Sequence, residues 1–161
     1  MTTNRQPGFA PAASPHASTT VHTPEEAISA GETSIPSQGD TLPAYYARPK
    51  HSDAPLPVII VVQEIFGVHE HIRDICRRLA LEGYLAVAPE LYFRPGDPND
   101  YDDVPSLFSG LVSNVPHAHV LAHPAHLATP PSRKRRCASL SLFTGFCLGR
   151  PVSLLSALHT P

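Results

Sequence analysis

The sequence predicts an α/β protein with a mostly parallel sheet, and three observations carry that expectation. Val58 to Val62, in "PLPVIIVVQEIFG", are five consecutive β-branched residues, the pattern of a strand buried on both faces. "VHEHIRDICRRLALEGY" follows with Ile72, Ile75, Cys76 and Leu79 at helical spacing and with Arg73, Asp74, Arg77 and Arg78 assigned to the opposite face. "YLAVAPEL" is a second short apolar strand. Strand, helix and strand joined by short links form a βαβ unit, which implies a parallel pair with a right-handed crossover.

The remaining elements are read in order. Residues 1–30 are rich in Pro, Ser, Thr and Ala; they can bury little apolar surface and are expected to be a disordered leader before a domain over 31–161. In "GETSIPSQGDTLPAYYARP", Ile35 and the alternating run Leu42 to Ala47 flank the turn-type cluster "SQGD", which predicts a hairpin at a sheet edge, where Pro36 and Pro43 are tolerated. Gly83 stands where the helix of "VHEHIRDICRRLALEGY" should be capped at its C-terminus. "YFRPGDPNDYDD" is a loop by its Pro, Gly and Asp content, and Val104 to Val115 is a short helix. The texture changes over 117–138, which carries four histidines, three prolines and the run Arg133–Arg136 but no acidic residue. "LSLFTGFCLGRPVSLLSALH" returns to the earlier pattern of strand, turn and apolar helix.

Composition excludes several classes. A net charge of −2 gives no electrostatic reason to expect nucleic acid or an anionic membrane as partner, and no apolar run approaches the roughly 20 residues of a membrane span. Three cysteines at irregular spacing, Cys76, Cys137 and Cys147, argue against a disulfide framework and for a reducing compartment. With no secretory pattern at the N-terminus, the expected location is the cytoplasm. His119, His123 and His126 fall on one helical face, but Pro124 interrupts it and no carboxylate or cysteine lies close, so no metal or cofactor is expected. "RKRR" is read as a solvated loop.

The chemistry-bearing stretch is Gly145-Phe146-Cys147-Leu148-Gly149. A nucleophile elbow needs small residues two positions before and after the nucleophile, because the strand-to-helix turn is too sharp for larger ones. The helix that follows aims its N–H groups at the sulfur and favours thiolate. The N–H of Leu148 is then a natural oxyanion donor. The pattern alone is weak, since a lone cysteine is more often a small buried apolar residue.

Taken together, "QEIFG", "IRDICRRLALEGY", "APELYFR" and "GFC", in this order and spacing, resemble the dienelactone hydrolase (carboxymethylenebutenolidase) family of α/β-hydrolases. The resemblance covers roughly 34–115 and 139–161. It implies the N-terminal part of an α/β-hydrolase fold and a carboxylic ester hydrolase opening a cyclic enol-lactone in aromatic catabolism, with a small lactone or ester as its partner. It implies Cys147 as nucleophile and Glu64 as the carboxylate that holds the resting thiol and exchanges a proton with it. It further implies the backbone N–H groups of Ile65 and Leu148 as the oxyanion hole, and Arg94 as the residue that binds the substrate carboxylate.

The sequence also departs from the family. Members complete a triad with an aspartate and a histidine downstream of the cysteine, and neither is found in this chain. His159 is the one histidine after Cys147, and twelve residues along a helix place it roughly 18 Å away, too far for a base. The family usually has Trp-Gly-Gly-Arg after the cysteine; here Leu148-Gly149-Arg150-Pro151 follows. The break in texture over 117–138, between two blocks of preserved spacing, suggests a locally shifted reading frame. The chain is therefore expected to be C-terminally truncated, with an unpaired sheet edge and little activity of its own. The alternatives are a non-catalytic relic or fragment, and a thiol-reactive protein using Cys147.

Overall fold

The computed structural model describes residues 18, 21, 23–37, 40–52, 55–115 and 141–145. Strand β1 (Ile28–Ser37) pairs antiparallel with β2 (Asp40–Pro49) over its whole length, Ile28 opposite Pro49 and Ser37 opposite Asp40. Strand β3 (Val58–Val62) leads to helix α1 (Glu70–Leu81), which returns to β4 (Leu85–Pro89). After β4 come a short 3₁₀ turn (Pro98–Asp100), helix α2 (Val104–Gly110) and a second 3₁₀ turn (Val112–Asn114). Strand β5 (Ser141–Gly145) is the last described element. The sheet order is β1-β2-β4-β3-β5, with β3 parallel to both β4 and β5. The expected α/β class, edge hairpin and parallel βαβ unit are all present.

β3 and β4 are buried at every position, because alternate side chains feed two different cores. Ile59, Val61, Ala86 and Ala88 pack with Ile72, Cys76 and Ala80 of α1. Val58, Ile60, Leu85 and Val87 pack on the opposite face with Ala44. This two-sided burial is the physical reason that both strands read as continuous apolar runs.

Helix α1 ends as its sequence predicts. Gly83 takes φ +92°, its N–H donates to the Ala80 carbonyl at 3.1 Å, and the Tyr84 N–H reaches back to the Leu79 carbonyl at 3.1 Å. These two bonds form a Schellman closure, and Leu79 and Tyr84 pack together on the same core.

Five details differ from the sequence reading. The buried stripe of α1 is Ile72, Cys76 and Ala80, with Ile75 and Leu79 at its margin. Asp74 and Arg77, expected in solvent, are 4% and 5% exposed. They are inside because each is paired: Asp74 accepts from the Thr23 hydroxyl at 2.7 Å and from Arg78 Nε at 2.7 Å, and Arg77 donates to the Tyr45 hydroxyl and to Glu70. The leader boundary at residue 30 falls too late, since β1 begins at Ile28 and both Ile28 and Thr23 are buried. Pro43 lies in a strand paired on both sides; having no N–H to lose, it contributes only its carbonyl, which accepts from Glu90 N–H at 2.9 Å. The expected 104–115 helix divides at Leu111, whose φ/ψ of −117°/−58° separates α2 from the 3₁₀ turn.

Candidate active site at the carboxyl ends of β3 and β4

The chain leaves β3 for β4 on one side of it and returns at β5 on the other. In an open α/β sheet such a reversal leaves a crevice beyond the carboxyl ends of the strands, and ligands bind there. The residues directly after β3 are Gln63, Glu64 and Ile65, so topology puts Glu64 and Ile65 at the carboxyl end of this strand.

The Glu64–Gly67 stretch is a tight turn. Gly67 donates its N–H to the Glu64 carbonyl at 3.2 Å and takes φ +84°, which a Cβ would strain. The turn is held from beneath by Glu90 at the end of β4. Glu90 Oε2 accepts the Val68 N–H at 3.4 Å, and a Cβ added to Gly67 would lie 3.4 Å from Glu90 Oε1. Burial pushes the Glu90 carboxyl above the ordinary range, and the N–H groups of Val68 and Tyr92 pull it partly back. Gln63 is fully buried and ties β3 to the next loop: its Oε1 accepts the Leu91 N–H at 2.9 Å.

Glu64 is partly buried and its Oε2 lies 3.2 Å from His69 Nε2. Ile65 packs its side chain against Tyr92, Leu107, Leu111 and Val112, so the backbone that carries its N–H is anchored in a core. Arg94 is exposed in the turn that follows Leu91 and Tyr92. Cys147 and Leu148 lie outside the described residues, as do His159, the histidines of 117–138 and the basic run. Sequence reasoning missed His69, Glu90 and Gln63. Gln63 and Glu90 close their strands as polar residues after apolar runs, which was an available signal; His69 gave none.

Cys76 is the one thiol among the described residues; it is wholly buried against the sheet, and burial pushes it up to about 12. It is a packing residue rather than a nucleophile. No group of three His, Cys, Asp or Glu side chains among the described residues is placed to hold a metal, and no helix among them is long and apolar enough to cross a membrane.

A model of the dienelactone hydrolase family matches residues 42–161. A protein of Escherichia coli K12, provisionally named a carboxymethylenebutenolidase, is 66% identical over 161 residues, covering 100% of this chain and 59% of that protein. One from Methylorubrum extorquens with the same provisional name is 44% identical over 164 residues, covering 100% of this chain and 56% of that protein. The crystal structure of a provisionally named dienelactone hydrolase from Klebsiella pneumoniae superposes with a TM-score of 0.77 at 64% identity, over 84% of this chain and 57% of that one. The fold is that of the α/β-hydrolases. The chain spans about 60% of the length of the curated relatives it matches.

Proposed function

Because the chain belongs to the dienelactone hydrolase family, we propose that it carries the nucleophile half of a carboxylic ester hydrolase. This hydrolase opens a cyclic enol-lactone in aromatic catabolism in the cytoplasm. The thiolate of Cys147 attacks the lactone carbonyl, the C–O bond of the ring breaks, and an acyl-enzyme forms on sulfur. Glu64 receives the thiol proton. The N–H groups of Ile65 and Leu148 stabilise the oxyanion, and Arg94 binds the carboxylate of the substrate.

One observation carries this reading. β3 and β5 are parallel neighbours with Val62 opposite Gly145, and Glu64 and Cys147 each follow those partners by two residues. The proposed proton acceptor and nucleophile are thus the same number of residues beyond a paired position of two adjacent strands.

Hydrolysis of the acyl-enzyme needs a base. These 161 residues hold no aspartate or glutamate after Asp103 and, after Cys147, only His159. The chain on its own is therefore expected to acylate and stop. The test is incubation of the purified chain with a dienelactone, read by intact mass and by product release. A single adduct on Cys147, absent from Cys147→Ala, with little turnover, is expected. Steady turnover that survives Cys147→Ala would overturn the reading.

A further inference from the structure

Gln63 and Glu90 are the residues that follow β3 and β4. The two strands run parallel with Ile60 opposite Val87, and continuing that register sets Gln63 against Glu90. Each side chain crosses to the backbone that follows the other strand. Gln63 Oε1 accepts the Leu91 N–H at 2.9 Å, and Glu90 Oε2 accepts the Val68 N–H at 3.4 Å. The Glu90 carboxylate also accepts the Tyr92 N–H, so it holds its own loop and the neighbouring one at once. Leu91, held by Gln63, stands between the two residues on which the β3 turn rests: a Cβ at Gly67 would lie 3.4 Å from Glu90 Oε1 and 3.8 Å from Tyr92 Cδ2, and Ile65 packs in one cluster with Tyr92. Releasing Leu91 therefore frees both supports of the turn. Gln63, Val68, Leu91 and Tyr92 are all buried, so water replaces a broken bond here only when the loops lift. The assembly is rooted on both sides, since the Glu90 N–H donates to the Pro43 carbonyl at 2.9 Å and the Val68 carbonyl accepts from Arg73 Nε at 3.2 Å.

We propose that Gln63 and Glu90 form a crossed clasp that makes the loops after β3 and β4 open as one cooperative unit. Two separate turns would instead open independently, each losing its own bond alone. In a clasp the coupling is reciprocal: the factor by which the Gln63 bond protects Val68 equals the factor by which the Glu90 bond protects Leu91. Glu64 and Ile65 stand on one loop and Arg94 on the other. That the unit holds these three in one fixed relation for catalysis rests on the function proposed above; the clasp itself involves only Gln63, Val68, Glu90, Leu91 and Tyr92.

The test is backbone amide hydrogen exchange in the 161-residue chain at a single pH, read by NMR at Val68, Leu91 and Tyr92. The amides of Tyr84 and Lys50, bonded to the Leu79 and Ala27 carbonyls, serve as references away from the clasp. In the wild type the three clasp amides are expected to share one opening free energy and one urea dependence, below those of the references. Gln63→Met keeps the length of the side chain and removes the acceptor of Leu91 alone. Val68, whose own acceptor is untouched, is nevertheless expected to exchange about tenfold faster, the scale of one lost hydrogen bond. Glu90→Met is expected to speed Leu91 by a similar factor. The references stay within about twofold in both variants. Faster exchange at Leu91 alone in Gln63→Met overturns the inference, and so does an equal acceleration at the references, which would mean that the whole chain opens. Should a methionine variant not fold, the wild-type urea series decides: unequal opening of Val68, Leu91 and Tyr92, or opening shared with the references, overturns the clasp. No readout here involves Cys147, so a failed clasp is distinct from a failure of the proposed chemistry.

Discussion

The guanidinium of Arg77 on α1 donates to the hydroxyl of Tyr45 on β2 at 3.1 Å, in the interior of the protein. The same group pairs with Glu70 and, at 3.4 Å, with Asp74. It thereby ties the crossover helix to the edge hairpin. The 3.7 Å approach to the exposed Glu25 adds little, because an exposed ion pair is worth no more than about 1 kcal/mol. Removing the charge from one side leaves buried polar partners behind. Arg77→Ala is therefore expected to cost about 3–5 kcal/mol, measured by urea unfolding. Arg78→Ala, at a half-exposed position, is expected to cost about 1 kcal/mol or less.

Asp74 carries the acid sensitivity of this network. Burial alone would raise its carboxyl, but the Thr23 hydroxyl and Arg78 outweigh burial and hold it below the usual carboxylate range. A depressed folded value means stability that is fully present above the unfolded carboxylate range, about pH 4, and is lost as pH falls through the folded value. Unfolding free energy is expected to decline below about pH 4 in the wild type and to decline less in Asp74→Asn. Equal acid limbs in the two proteins would assign the acid loss to other carboxylates.

Cys76 supplies a check on reactivity. With its thiol buried and pushed up to about 12, it is expected to resist a thiol reagent such as DTNB in the folded chain at pH 8 and to react fully in denaturant. Labelling is followed peptide by peptide, and fast native labelling of Cys76 would contradict its position beneath α1.

The elements legible in the sequence are those whose signal is local. β3 and β4 are buried on both faces and so appear as unbroken apolar runs, and Gly83 marks its closure because only glycine takes φ +92° cheaply. The burial of Asp74 and Arg77 was illegible, because apolar periodicity cannot separate a solvated charge from one paired across 51 residues with Thr23 or across 32 with Tyr45. The start of β1 was missed for a related reason: Ile28 is the one large apolar residue between Val21 and Ile35, and its burial comes from the core under α1. Glu64 and Ile65 were singled out through the "QEIFG" motif, which stands directly after β3. The contact of His69 with Glu64 was invisible because it comes from the bend at Gly67, which folds the chain back so that residues five apart meet.

That bend is testable by contrast between two glycines. Gly67 and Gly83 both have positive φ, but an added Cβ meets Glu90 Oε1 at 3.4 Å and Tyr92 Cδ2 at 3.8 Å only at Gly67, while Gly83 faces open space. Gly83→Ala is expected to cost about 1 kcal/mol, the strain of the backbone alone. Gly67→Ala is expected to cost more, about 2 kcal/mol, and to slow Cys147 alkylation, since the same turn carries Glu64 and Ile65. Equal destabilisation with unchanged alkylation would show that the Glu90 buttress is loose.

Glu90 gives the last contrast, because its sign is opposite to that of Asp74. Burial raises its folded value above the ordinary carboxylate range, and the Val68 and Tyr92 N–H groups only partly offset this. A carboxyl raised in the folded state contributes most when protonated. Its contribution falls as pH rises from the unfolded value, about 4.3, through the raised folded value. Glu90→Gln keeps an acceptor oxygen for the Val68 N–H and removes the buried charge. The variant is expected to be less stable than wild type, or equal to it, near pH 4 and to gain on it by pH 7, measured as the difference in unfolding free energy at the two values. A difference that does not change with pH would mean that the Glu90 carboxylate is fully solvated in the folded chain, and that Gly67 and Val68 are held by backbone bonds alone.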